Sequence, residues 1–301
     1  MKHILFTKEL LLLVVAVFVM IATSCIKEDL DQCYTLKLKV ENIKGDDITE
    51  YGWMESTDLY IFDENLNYLE KRRLDKNFIR SRNEIVLDGY TADRSLRIVA
   101  WGNVNALGEK QSEAQTIEDL KVMLKSQDGL AVTPDSLYYG SEQVFTKAGG
   151  VAKETEIVIR PKVGTVTIET RGLQEQLGRM GLRSSVDCDF YLNNTLSGFD
   201  YRGTQIGDSV YYNPEGAWNE SGVEWITPTM QTACPGQDMA VSISANGVSL
   251  GSAKVDENGD PIYTSAGENT HLILEWGEGG TLSVRATVRP WGVVEEDIPM
   301  H

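Results

Sequence analysis

From residue 34 to residue 289 the sequence keeps returning to one short pattern, apolar and polar side chains in alternation, and that pattern leaves few folds open. The run at 281–289 shows it most cleanly. Leu282, Val284, Ala286 and Val288 face one way, and Ser283, Arg285, Thr287 and Arg289 the other. Successive side chains of a strand point to opposite faces of the sheet, so this register describes a strand with one buried face. Pro290 comes next and has no N–H to give to a ladder. Segment 34–40 alternates in the same way, with Leu36, Leu38 and Val40 inward and Lys37 and Lys39 outward.

Further strands are predicted at 57–62, which is apolar on both faces and therefore central, and at 68–74, 84–88, 95–101, 137–140 and 154–160. The second half adds 163–170, 186–192, 209–212, 223–227, 239–244, 248–250 and 270–276. Turn signals separate them. Asp63-Glu-Asn-Leu-Asn67 is one, and Asn246-Gly247 and Asn258-Gly259 are two more, each offering residues that tolerate positive φ. One helix is predicted at 116–125, where Ile117, Leu120 and Leu124 recur at helical spacing behind a Thr116/Asp119 capping box. Segment 172–181 is ambiguous, one helical turn or two.

Many short strands with one helix specify an all-β fold of two mainly antiparallel β-sandwiches. Arg160-Pro161 is the natural boundary, giving domains at 34–160 and 161–301.

The first 24 residues have a different purpose. Lys2 and Lys8 precede an apolar run from Leu10 to Ile21, which gives way to Ala22, Thr23 and Ser24 directly before Cys25. A basic start, a short apolar core and a small-residue exit make a signal peptide. Cys25 at the cleavage position is the candidate for lipidation, its thiolate being the nucleophile. Ala22 stands where the commonest lipobox has Leu. Residues 25–33 then form a mostly acidic tether.

Charge excludes some partners. Cleavage before Cys25 removes two of the 28 Lys+Arg and one of the 45 Asp+Glu, leaving 26 against 44, a net of −18. Such a surface repels phosphate backbones, so no nucleic-acid partner is expected. Beside Cys25, Cys33, Cys188 and Cys234 remain, an odd number for an exported chain; one disulfide and one free thiol is the simplest account, and Cys188–Cys234, both in the second half, is the candidate pair, although the sequence does not fix the pairing. With His3 gone, only His271 and His301 are left, which argues against a His-based triad or a multi-His metal site. No catalytic residue, cofactor or metal is expected. Asp256-x-Asn258-x-Asp260 spaces oxygens like a calcium loop but lacks the later bidentate Glu, and a polar turn is the simpler reading. Trp101, Trp276 and Trp291 stand near strand ends, where core or edge packing is the ordinary use and a sugar-stacking platform the functional one. Asn193-Asn-Thr195 and Asn219-Glu-Ser221 match the glycosylation pattern, which is common by chance.

Several landmarks then occur in order: SCIKEDLDQCY at 24–34, LYIFDENLNYL at 59–69, LRIVAWGN at 96–103, DSLYYG at 135–140, IRPKVGTVTI at 159–168 and VRPWGV at 288–293. Together they resemble the FimB-type fimbrial anchor lipoproteins of Bacteroidia-type, or type V, pili. The resemblance implies two tandem transthyretin-like domains, lipidation at Cys25, an outer-membrane location and a role at the pilus base, with a limit on pilus length. It implies that Glu28, Asp29 and Asp31 direct the lipoprotein to the cell surface, and that the partner is a pilus shaft subunit. An open sheet edge accepts a strand from another chain by β-augmentation, and 281–289 is the segment with the best pattern for such exchange, though any half-buried last strand shows the same alternation. The other function class left open is a lipidated sandwich that captures glycan or host protein.

Overall fold

A computed structural model describes residues 34–291, except 88–89, 91–93, 106–108, 112, 147–153, 183–185 and 234–238. The chain begins with β1 (Tyr34–Val40), β2 (Ser56–Phe62), β3 (Tyr68–Asp75), the short helix α1 (Lys76–Arg80), β4 (Ile85–Leu87) and β5 (Arg94–Gly102). A run of very short strands comes next: β6 (Glu109–Gln111), β7 (Val122–Leu124), β8 (Ser126–Gln127) and β9 (Leu130–Ala131). Then come β10 (Tyr138–Thr146) and β11 (Glu154–Pro161). The second half holds β12 (Val163–Arg171), helix α2 (Leu173–Arg179), β13 (Cys188–Phe199), β14 (Gln205–Tyr212), β15 (Ala217–Trp218), β16 (Trp225–Ile226), β17 (Met230–Ala233), β18 (Ala240–Ala245), β19 (Val248–Ala253), β20 (Glu268–Trp276) and β21 (Leu282–Pro290).

The first sheet has the order β3-β2-β5-β10-β11-β1-β4. All its pairs are antiparallel except β1 with β11. One face carries Leu36, Leu38, Ile61, Ile98, Ile157 and Ile159, fully buried together with Met54 and Ile79. Burying a Leu or Ile side chain is worth about 2 kcal/mol, so this face alone commits the register. Asp75 caps α1 by accepting the Phe78 amide. The other face offers Tyr60, Phe62, Val99 and Trp101 to a second, larger core shared with the rest of the chain.

Two further sheets enclose that core. One runs β15-β16-β12-β20-β21 with β17 beside β12, and here β12 and β20 are parallel. The other runs β19-β18-β13-β14-β9-β8, with β7 on β13 and β6 on β7. β6 to β9 precede Pro161 in the chain, yet β7 pairs with β13 through Phe199↔Val122, and β9 pairs with β14 through Tyr211↔Leu130. The strand pairing therefore crosses Arg160-Pro161 in one excursion, 109–131.

The predicted helix at 116–125 is not formed. The capping box is present, but the helix ends after a single 3-10 turn, Ile117–Asp119, and Leu120 is already extended at ψ 109. Val122 and Leu124 then point inward as strand residues and are buried. Their period-two spacing competes with the helical reading of Leu120 and Leu124, and pairing with β6 and β13 decides for the strand. The ambiguous 172–181 becomes α2, with Leu173 and Leu177 buried and Gly172 at φ 72 before it. Asn246 and Gly247, at φ 50 and φ 74, make the expected tight hairpin between β18 and β19.

Five loops share one construction. Asn42, Asp63, Asp200, Asn219 and Asp256 each accept the amide of the residue three positions on with their own carbonyl, and that residue has positive φ. In four of them the side chain also accepts amides two and four residues on. In the Asn219 loop the amides are those of Val223 and Glu224. The positive-φ position holds glycine in four loops, Gly45, Gly203, Gly222 and Gly259, and Leu66 in the fifth.

Candidate functional site

Two features stand out among the described residues, an open strand edge and a basic cleft. Among the described residues, β21 is the last strand of its sheet and pairs only with β20. Trp291 N–H donates to Gly267 and Gly277 N–H to Thr281, which fixes the alternation of bonded pairs along this ladder. Arg285, Thr287 and Arg289 therefore turn their backbone groups toward β20, while Val284, Ala286 and Val288 turn theirs outward. The Val284 carbonyl accepts the Glu257 amide from the adjoining loop, which covers that point. Glu257 also holds Arg285 at 3.1 Å. The outward groups of Ala286 and Val288 meet no other backbone among the described residues, and the side chains of both are only half-buried. Pro290, without an N–H, ends the edge.

The cleft lies where the first sheet meets the second half. Trp101 sits 5.0 Å from Tyr139 and 5.7 Å from Phe199, ring centre to ring centre, and Tyr139 donates its hydroxyl to the Tyr201 carbonyl. Beside this aromatic contact opens a cleft of about 740 Å³, whose lining includes Arg97, Arg160, Lys162, Arg202, Leu66 and Ile117. Among the described residues, no Asp or Glu lines it. Lys162 lies over the Tyr139 ring and Arg202 over the Tyr201 ring, and Arg202 donates to the Tyr201 hydroxyl. Arg160 pairs with Glu41. Lys39 also binds Glu41, and its bond is the main reason that this carboxyl is held below its usual range.

The residues singled out from sequence fare differently. Cys25, Glu28, Asp29 and Asp31 lie outside the described residues. Cys188 is a buried free thiol, and burial pushes its pKa up to about 11. Its expected partner Cys234 lies outside the described residues. Trp101 and Trp276 are buried, and Trp276 donates to the Leu250 carbonyl. Half-buried Trp291 donates to Thr165, so the three tryptophans line no common surface. The Asp256 carboxylate is occupied by the amides of Asn258 and Asp260, and among the described residues no group of three metal-binding side chains gathers. His271 faces Glu169 at 3.2 Å across β12 and β20. The basic cleft was missed because its cations come from β5, β11, the β11–β12 junction and the Asp200 loop, and no local motif links them.

The architecture is that of a known class of β-sandwich proteins. A protein of the DUF1812 group from Bacteroides thetaiotaomicron superposes with a TM-score of 0.67 at 16% identity, covering 88% of this chain and 99% of that one. The fimbrial anchor protein Mfa2 from Porphyromonas gingivalis superposes with a TM-score of 0.62 at 14% identity, over 86% and 98%. At the sequence level, the major fimbrium anchoring subunit FimB of Porphyromonas gingivalis is 27% identical over 298 residues, 95% of this chain and 94% of that one. The chain belongs to the family of fimbrillin-A associated anchor proteins Mfa1 and Mfa2, whose family model matches residues 30–297. The resemblance read from the landmark residues is thereby established, and the all-β sandwich fold with it.

Proposed function

We propose that this protein holds the base of a pilus at the cell surface, anchored in the outer membrane through lipid on Cys25. Its membership in a fimbrial anchor family supports the role, and the likeness to FimB supports its place at a fimbrium. The single structural observation that carries the mechanism is the outward-facing backbone of Ala286 and Val288 on β21. A shaft subunit adds a strand there, and its backbone completes the hydrogen bonds that the edge leaves open. A subunit fixed to the membrane ends the filament at that point, which limits pilus length. We read the chain as two tandem sandwich domains divided at Arg160-Pro161, with 109–131 contributed by the first to the second.

The test is a detergent extract of the native envelope, run in SDS with and without boiling. A strand-completed complex runs as a high-mass ladder cold and as monomer after boiling. Monomer in both lanes removes strand addition from the mechanism. Cys25→Ala releases the protein, and filaments with it, from the outer membrane. Complete retention of the variant in that membrane would sink the anchoring role of the lipid.

A further inference from the structure

Segment 51–55 turns its side chains alternately out and in at one edge of the smaller core. Met54 is buried there, and a Cβ at Gly102 would collide with its sulfur. Gly52, in the left-handed region at φ 66, closes the 3-10 turn Thr49–Tyr51. Beside these two anchors the large rings face water, Tyr51 at 66% exposure and Trp53 at 40%. Single exposed apolar residues are ordinary on a protein surface. These two stack, with ring centres 5.7 Å and planes 29° apart, and so form one continuous ring surface. Trp53 also lines a cleft of about 580 Å³, together with Glu55, Ser56, Arg73, Asn105 and Ser136, and Asp135 lies in the same lining. That volume suits a small molecule or a short stretch of polymer.

Asn103, at φ 59, clamps the walls of this cleft. Its side chain accepts the Glu55 amide at 2.7 Å and donates to the carbonyls of Trp53 and Ser136, each at 3.1 Å. The loop with Trp53 and the loop with Ser136 are thereby fixed to each other, and a site built this way is formed before a ligand arrives. Its charges narrow the ligand class. Glu55 holds Lys76 at 2.6 Å, and Arg73 donates to the Asp58 carboxylate and the Ser56 hydroxyl. An anionic ligand would meet Glu55, Asp135 and a guanidinium already in use. An ammonium ligand is held over ring faces that surround it, whereas these rings stack on one another. A pyranose fits both parts of the site. One face of the sugar ring presents C–H bonds to an aromatic face, and its hydroxyls donate and accept as Ser56, Asn105 and Ser136 do.

We propose that Tyr51, Trp53 and this cleft form a binding site for a neutral saccharide. Trp53 stacks on the sugar, and Tyr51 positions the Trp53 ring. The site is separate from β21 and does not rest on the pilus-anchor reading. The test is titration calorimetry on the full mature chain, in a detergent without a sugar headgroup, against cellohexaose, maltohexaose, mannohexaose, a galacturonate hexamer and choline. At least one of the neutral hexasaccharides binds. Its dissociation constant rises about tenfold or more in Trp53→Ala and about threefold or more in Tyr51→Ala. Both side chains are exposed, so both variants unfold at nearly the wild-type temperature. A parallel measurement reads binding on the unmutated chain. With fluorotryptophan incorporated, the saccharide shifts the fluorine resonance of Trp53 among those of the six tryptophans, the resonance being the one absent from Trp53→Phe. Failure of all the neutral hexasaccharides to bind overturns the proposal. So does binding that is indifferent to both rings, or tighter binding of the galacturonate hexamer or choline with the same dependence on Trp53.

Discussion

Leu66 holds a left-handed backbone conformation that the four sister loops assign to glycine. A side chain there costs about 1–2 kcal/mol. Leu66→Gly is therefore expected to raise stability by about 1 kcal/mol despite the entropy glycine adds to the unfolded chain, and a chemical denaturation curve reads it out. A drop in stability would mean that the leucine side chain contributes more in the cleft lining than its backbone costs. Asp47 offers a second check. Burial acts to raise its pKa, but the Thr49 hydroxyl and amide and the Arg82 guanidinium outweigh it and bring it down to about 2. A carboxylate with a depressed folded-state pKa adds stability that is fully present above its unfolded pKa, about 3.9, and is lost as pH falls toward 2. Asp47→Asn is thus about 1 kcal/mol less stable than wild type at pH 7, and the difference is lost as pH falls through about 2. Cys188 supplies a third. Buried, with its pKa raised to about 11, it resists thiol reagents at pH 7.5 until the chain is unfolded. Modification of Cys188 within minutes in the native state would contradict its placement. Asp63 and Asp256 were legible as turn residues from the sequence. That Leu66 occupies a glycine position was not, because φ is set by the loop and not by the residue.

At the scale of elements, alternation was a reliable guide wherever a strand had one buried and one wet face. β1 spans the predicted 34–40, and β21 nearly coincides with 281–289. The reading failed at 116–125, where Ile117, Leu120, Val122 and Leu124 are all buried and satisfy two periods at once. Only the partner strands resolve that ambiguity, and β13 lies far along the chain. The cleft was illegible for the same reason, being a product of non-local pairing. β21 carries the element-scale prediction. Val288→Pro removes an outward N–H and leaves the bonded pairs with β20 at Thr287 and Arg289 intact. The variant is expected to fold and reach the membrane, yet lose the cold SDS-resistant ladder. A ladder of wild-type strength would direct attention to another edge.

For the whole molecule, the decisive fact is that the larger core draws on both halves. Trp101 and Phe62 from the first sheet share it with Phe190, Phe199 and Leu272. Trp101→Ala is expected to cost about 3–5 kcal/mol, while Trp101→Phe costs far less, because the buried indole N–H has no partner to lose. Thermal unfolding distinguishes the two. The excursion 109–131 makes a sharper prediction. Residues 161–301 expressed alone lack β7 and β9, leave β13 and β14 without those partners, and should bind hydrophobic dyes that the full chain excludes. Pro161, which marks the proposed boundary, was visible in the sequence. The excursion across it was not, because strands of two or three residues carry almost no periodic signal.

The placement of β1 has a mechanical consequence. β1 directly succeeds the tether, and it is held on both sides, in parallel by β11 and antiparallel by β4. Under the anchoring proposed above, a pull on the filament loads this strand along its axis, nearly at right angles to its hydrogen bonds. Bonds loaded in that direction share the force and must break together, whereas an edge strand peeled from its end gives way one bond at a time. The tether thus enters the fold through a strand that resists in shear.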